Sequence, residues 1–470
     1  MAVVGQKKNF TEGKLFGKIL LFVLPIVATN LLQSLYNAAD MIVVSLSGER
    51  NAVGAVGTIG SFVSLIVNVF IGFSVGANVV VARHIGAGNT ERTQKAVHTS
   101  LLAGLAFGLL GGGIGAAVAR PVLVAMGNTG NLLDLAVKYT YFYFAGIPFL
   151  SLTNYLIAIF RAKGDSKTPL VVLSLTGLLN VGLNLFFVLV MGLSVEGVAL
   201  ATSIANFVSF VLLLIKLSKD NDDTKFSLRK LRFYKKELKD IVYIGFPAAV
   251  QSALFAISNM LIQSSIVTVN NNVSPPNSTY QPVVNGSAAG FNISNFVYTA
   301  QNAVYQGAIT FTGQNMGANK PKRVYPITGC CCLLVTILGL LLGGSAFLCK
   351  APLLRLYGIV EGAERSLERI AYSTAVTQLT LMALPYFLCG VMEVGSGVLR
   401  GLGRSMLSML VSLIGSCLLR VVWLLTVFPA YPTLEIIYIS YPITWILTSI
   451  ALYAFAFVII SRAVKHGGNG

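Results

Sequence analysis

The chain has 470 residues, of which 55% are hydrophobic and only 11% charged, against about 25% charged in an ordinary soluble domain. A mean hydropathy of +0.76 excludes a string of soluble domains. The net charge of +17 would suggest nucleic acid in a soluble protein, but here the placement of the basic residues explains it and no nucleic-acid partner is expected.

A helix that crosses a bilayer needs about 20 mostly apolar residues, because no water is present to satisfy its backbone. Apolar blocks predict helices over 18–46, 53–82, 96–119, 135–160, 169–191 and 196–217, then over 240–268, 291–314, 324–349, 371–399, 406–428 and 434–461. The expected organisation is an N-terminal lobe (1–217), a basic linker (218–239) and a C-terminal lobe (240–470). In the linker, Lys235-Lys236-Glu237-Leu238-Lys239 reads as a short basic amphipathic helix, either solvated or laid on anionic headgroups. Asn270 to Asn295 reads as a long polar outer loop, with N-x-S/T sequons at Asn272, Asn277, Asn285 and Asn292. The six cysteines fall in or at the ends of spans and suggest small core residues, not a disulfide framework or a zinc site. The first apolar block is a full span without a small-residue cleavage site, so it reads as a helix and not a removable signal.

With the N-terminus inside, about 26 of the 34 basic residues fall on inner segments. Lys7, Lys8, Arg83, Lys163, nine residues from Lys216 to Lys239, Lys320 and Arg404 are among them. This is the positive-inside bias, and it predicts a multi-pass plasma (inner) membrane protein with both termini cytoplasmic.

Three stretches recur in order. Gly76-Ala77 through Arg83-His84-Ile85-Gly86-Ala87 matches Gly307-Ala308 through Gln314-Asn315-Met316-Gly317-Ala318. Arg161 to Ser166 matches Arg400 to Ser405, and Gln33-Ser34 matches Gln251-Ser252. The fold expected is therefore all-α, with twelve transmembrane helices in two pseudo-symmetric six-helix lobes around a central cleft. Six spans per half make the halves parallel, an arrangement that transporters use to place a site between two lobes.

An intramembrane carboxylate is costly and marks function by default. Of 17 acidic residues only Asp40 and Glu393 sit well inside predicted helices, with Arg420 as the one basic residue. At the depth of Asp40 lie Asn184, Asn180 one turn away, and Thr202, while Tyr36 precedes Asp40 by four residues and points the same way. These oxygens could ligate Na⁺. They could equally surround a proton on Asp40, since desolvation disfavours a charged carboxylate, and the amides could serve only as interhelical glue. In the second half, Glu393 falls opposite Asn154 in the repeat and could pair with Arg420. Gln251, Asn259, Tyr298, Asn302 and Tyr305 offer a polar and aromatic wall that could form a cleft for an amphipathic or cationic ligand. No nucleophile–base constellation and no G-x-x-x-x-G-K-[ST] run occurs, so neither an enzyme nor direct use of ATP is expected.

The chain resembles the multidrug and toxic compound extrusion (MATE) family. The resemblance rests on Leu24-Pro25 through Leu35-Tyr36-Asn37-Ala38-Ala39-Asp40, Gly86-Ala87-Gly88-Asn89, Phe160 through Pro169, Gly197 through Thr202 and Leu399 through Gly403. It implies secondary antiport across the bilayer, in which H⁺ or Na⁺ enters while a cationic or amphipathic organic compound leaves, without any further cofactor. Within the family the chain is most similar to the branch with a cation site in its N-terminal lobe. Asp40, Asn180 and Thr202 match that site, and Tyr36, Asn37 and Asn154 its surroundings. The fourth cation position is often Asp and is Asn184 here, which favours H⁺ over Na⁺. A flippase for a lipid-linked precursor is the alternative within the wider superfamily. A monomer is expected.

Overall fold

In the computed structural model the described residues are 10–45, 47, 52–125, 130–273, 281–361 and 366–467. Twelve long helical stretches run in chain order, with no strand among the described residues. The first six are α1 (Leu15–Ser45), α2 (Ala52–Gly86), α3 (Thr90–Ala125), α4 (Gly130–Ala162), α5 (Lys167–Leu185, running into a π-helical turn Phe186–Val190) and α6 (Val195–Lys219). Then come α7 (Lys235–Val273), α8 (Pro282–Gly317) and α9 (Val324–Leu348). α10 has two parts, Ser366–Gln378 with a π-helical turn Leu379–Ala383, then Tyr386–Gly401. α11 runs Ser405–Ser412, a π-helical turn Leu413–Leu418 and Leu419–Thr426, and α12 is Leu434–Gly467. The parts of α10 meet at a bend of 41°, placed at Pro385, which cannot donate to the preceding turn.

Among the described residues ten helices are long and apolar enough to cross a membrane, and eleven if bent α10 counts as one span. The remaining stretch, α8, is too polar by composition. Its Ser294, Gln301, Gln306, Gln314 and Asn315 are all buried, so its polar groups face protein and need not face lipid.

Two expectations from the sequence are corrected. Lys235–Lys239 is not a separate amphipathic helix but the first turn of α7, and its Glu237 is buried. The polar stretch from Asn270 is not an extended loop. α7 runs on through Asn272 to Val273, and α8 begins at Pro282, so Asn285 and Asn292 are helical; Asn277 lies outside the described residues. The run of Asn, Ser and Gly suggested a loop, but tertiary contacts outweigh that weak local preference. Pro282 suits the first helical position, and the buried Asn270 side chain accepts the Val283 N–H at 3.2 Å, capping α8 from the end of α7. Asn270→Ala is expected to cost about 1–2 kcal/mol, the worth of a lost cap at a buried donor. A thermal midpoint equal to that of the parent protein would refute the cap.

The internal repeat is visible in the backbone. After α4, Gly164 takes φ +87 and after α10 Gly403 takes φ +72. The same bonds close both turns, Gly164 N to Arg161 O with Asp165 N to Phe160 O, and Gly403 N to Arg400 O with Arg404 N to Leu399 O. This is the glycine-terminated helix end. After α2 the left-handed position is Gly88, and after α8 it is Asn319, the one non-glycine residue with positive φ among the described residues. Asn is a residue that tolerates that region.

Contacts divide the chain into two compact units, and the sequence halves are not their borders. Unit 1 holds Met1–Gly13, Leu24–Ser252 and Gly313–Asn319; unit 2 holds Lys14–Val23, Ala253–Thr312 and Lys320–Gly470. Each unit thus includes the start of the other half's first helix. In unit 1 the start of α7 lies so close to α2 that a Cβ on Gly76 would be 2.1 Å from Ile241 O. In unit 2 the repeat-equivalent Gly307 faces Val23 at 2.9 Å. Within unit 1, α4 is the hub, packed on α2, α3 and α6; within unit 2, the second part of α10 packs on α9 and α12.

Candidate functional site

The site builds up from a close approach of α1 and α5 in unit 1. Gly177 carries no side chain, and a Cβ there would lie 1.8 Å from the Tyr36 ring. The ring therefore lies on the bare backbone of α5, and its hydroxyl donates to Ser174 O at 3.2 Å. Asp40 follows Tyr36 by one helical turn on α1, as Asn184 follows Gly177 by two on α5. α5 is tied to α6 in turn by the Ser209 hydroxyl, which donates to Thr176 Oγ1 at 2.7 Å.

This packing brings four residues expected from the sequence into one hydrogen-bonded chain. Asn184 Nδ2 donates to Asp40 Oδ1 at 2.5 Å and lies 3.3 Å from Asn180 Oδ1. Asn180 Nδ2 donates to Thr202 Oγ1 at 3.2 Å, and the Thr202 hydroxyl donates to Val198 O at 3.0 Å. Asn184 is 0% exposed, and its Oδ1 is buried with no hydrogen-bond partner. The α5 π-helical turn begins two residues after Asn184, and such widened turns recur at functional sites.

Other expected residues fall elsewhere. Asn37 is exposed. Asn154 spends its amide on Leu150 O of its own helix at 2.9 Å. Sequence reasoning missed Tyr139 and Tyr143 on α4, stacked at 5.7 Å and close enough for the Asp40 charge to act on both. Their i, i+4 spacing was the available signal. Gly177 was missed too, since an isolated helical glycine gives no hint of what lies against it.

In unit 2 the expected pairing of Glu393 with Arg420 is not formed. Arg420 donates to Thr444 Oγ1 at 3.0 Å, with its guanidinium 3.8 Å from the Tyr441 ring centroid. It is held by α12, and the positive charge acting on Glu393 is that of Arg400. Arg400 donates to the Tyr305 hydroxyl, Asn302 is half-buried, and the Tyr298 and Tyr386 rings are 6.4 Å apart. Asn259 is exposed. Gln251 is buried but belongs to unit 1.

Comparison with known proteins bears on the family and the fold. The MatE family model matches residues 25–186 and 247–425. The "probable multidrug resistance protein YoeA" of Bacillus subtilis is 26% identical over 335 residues, covering 68% of each chain. The "probable multidrug resistance protein NorM" of Thermotoga maritima is 22% identical over 84% of this chain and 82% of its own. Among solved structures, an outward-facing multidrug resistance MATE family transporter superposes with a TM-score of 0.87 at 20% identity, covering 98% of this chain and 99% of that one. The two family-model segments take in most of α1 to α5 and of α7 to α11, and the solved fold spans nearly the whole chain: the protein belongs to the MatE family.

Proposed function

We propose that the protein is a secondary antiporter of the plasma membrane, exporting cationic or amphipathic organic compounds in exchange for H⁺ that enters through Asp40. Its termini and linker are cytoplasmic in this reading, from the distribution of basic residues. The relatives named as multidrug resistance proteins support the class of cargo.

The observation that carries the choice of ion is the Asn184 amide. Its N–H₂ is turned to Asp40, and its buried oxygen has no partner. A carboxylate accepts from that N–H₂. A protonated carboxyl is a donor, and a turn of the Asn184 amide presents the unpartnered oxygen to receive it. The amide thus has one good arrangement for each protonation state, and the neighbouring Asn180 and Thr202 are bonded to each other. A Na⁺ ion needs several oxygens freed at once, and most of these are already engaged. Linkage requires that a substrate preferring ionised Asp40 promote proton release by the same free energy with which the proton opposes the substrate.

Efflux from proteoliposomes under separately imposed pH and Na⁺ gradients tests the proposal. The pH gradient alone is expected to drive export. Asn184→Asp, by adding a second negative charge and one acceptor oxygen in place of the N–H₂, is expected to make export Na⁺-dependent. Export by the unaltered protein that needs Na⁺ and ignores a pH gradient would make Asp40 a Na⁺ ligand.

A further inference from the structure

The segment that joins α6 to α7 is not a free connector. It climbs along the first turns of α3. Thr90 donates to Asp223 Oδ1 at 2.9 Å, Lys230 Nζ donates to Gln94 Oε1 at 2.7 Å, and His98 Nε2 accepts the Ser227 N–H at 3.0 Å while its ring stacks on Phe226. The Tyr234 N–H then donates to Thr99 Oγ1 at 3.2 Å. Lys163, in the turn after α4, pairs with Asp220 and with Asp222, the latter at 3.1 Å. Burial pushes the Asp222 carboxyl up, but hydrogen bonds from Thr224 and the Lys163 charge more than offset it and hold the group below the usual range. Asp222 therefore stays charged at neutral pH.

These anchors fix the height of the segment. From Thr90 to Thr99 the axis of α3 rises about 13 Å. α3 has 36 residues, far more than the roughly 20 that span the hydrocarbon, and its charged start, Glu91 to Lys95, stands outside. On that length, a segment bonded as far along as Thr99 would lie at the boundary between headgroups and acyl chains. There it presents Leu228 at 75% and Phe233 at 48% exposure, set among Lys225, Arg229, Lys230, Arg232, Lys235, Lys236 and Lys239, all exposed. Glu237, the one acid within this run, is buried. The Arg232 guanidinium lies 5.0 Å from the Tyr234 ring centroid, which steadies it.

We infer that this clamped segment is a docking surface for anionic phospholipid: Leu228 and Phe233 enter the acyl boundary, and Arg229, Lys230 and Arg232 bind headgroup phosphates. Apolar side chains flanked by basic ones are the composition that binds such an interface. The inference rests on the cytoplasmic placement of the linker, and the measurement that follows reads lipid binding and not transport, so either can fail alone.

The test titrates the full-length protein in detergent with phosphatidylglycerol, phosphatidylcholine or inorganic phosphate and follows the thermal unfolding midpoint. Phosphatidylglycerol should raise the midpoint at low salt and lose most of the effect at high salt. Phosphatidylcholine and inorganic phosphate should do neither. In R229Q/K230Q/R232Q the phosphatidylglycerol needed for half of the shift should rise about 100-fold, since each basic residue near an anionic surface contributes roughly fivefold. L228S/F233S should weaken the response while keeping its salt dependence. An equal response in the triple variant, or an equal shift from inorganic phosphate, would overturn the inference. If the triple variant does not fold, the lipid comparison on the unaltered protein and the L228S/F233S response still decide.

Discussion

Asp40→Asn yields a folded, membrane-inserted protein in which a pH gradient no longer drives export. The substitution keeps the shape of the side chain, and its Oδ1 can still accept from Asn184 Nδ2, as Asp40 does at 2.5 Å. The packing of α1 on α5 depends on Tyr36 over Gly177 and is untouched. The structural cost is therefore about 1 kcal/mol, one charged hydrogen bond made neutral. What disappears is the ability to exchange a proton and with it the two arrangements of the Asn184 amide. Gradient-driven export should fall about 100-fold, toward leak, on the scale of a coupling energy of a few kcal/mol. Substrate binding should survive but lose its dependence on pH, and a binding titration at two pH values separates this from simple damage. If the variant still exports in response to a pH gradient, the coupling group lies elsewhere. The remaining candidate is then Glu393, on which the Arg400 charge acts.

Gly86→Ala and Gly317→Ala should each destabilise the protein more than any other alanine substitution discussed. The ends of α2 and α8 cross backbone to backbone within unit 1. A Cβ on Gly86 would lie 2.0 Å from Gln314 O, and one on Gly317 would lie 2.0 Å from Arg83 O. Neither oxygen can rotate away, because each is part of a helix. The helices must separate by about 1.5 Å to restore van der Waals contact, and the bonds beside the crossing stretch with them. Those are Gln314 Nε2 to Ala162 O at 2.7 Å and Asn315 Nδ2 to Phe10 O at 3.2 Å. Overpacking of this kind costs about 3 kcal/mol. Gly113→Ala is the control. A Cβ there meets nothing within 4 Å, and alanine is the better helix former, so the thermal midpoint should hold or rise. A Gly86→Ala midpoint equal to that of the control would show that the crossing gives way easily.

Eleven of the twelve helices were readable because apolar length and charge placement report a bilayer directly, while the polar start of α8 was not. The repeat was readable because both halves must end the same helices in the same way, down to Gly164 and Gly403. Asp40, Asn180, Asn184 and Thr202 could be picked out since polar groups at membrane depth are few. Legibility failed where two distant segments decide the outcome together. Nothing near Asn270 says that its side chain caps a helix starting at Pro282, so the polar run there looked like a loop. Arg420 was the one basic residue inside a span and looked like the partner of Glu393, but Thr444 and Tyr441 hold it on α12. Tyr139 and Tyr143 escaped notice because aromatic residues are ordinary in a span, and only the fold sets them beside Asp40.

The polarity of α8 has a consequence for biogenesis. The translocon releases a nascent segment sideways into lipid according to its own hydrophobicity, and α8 lacks the composition for that. Gln301, Gln306, Gln314 and Asn315 are buried in the finished protein and would each be costly in bare hydrocarbon. α8 must then wait at the channel or leave it together with α7, whose Asn270 already holds its first turn. Integration of the second half is in this sense cooperative: α8 depends on partners for what its own composition does not supply.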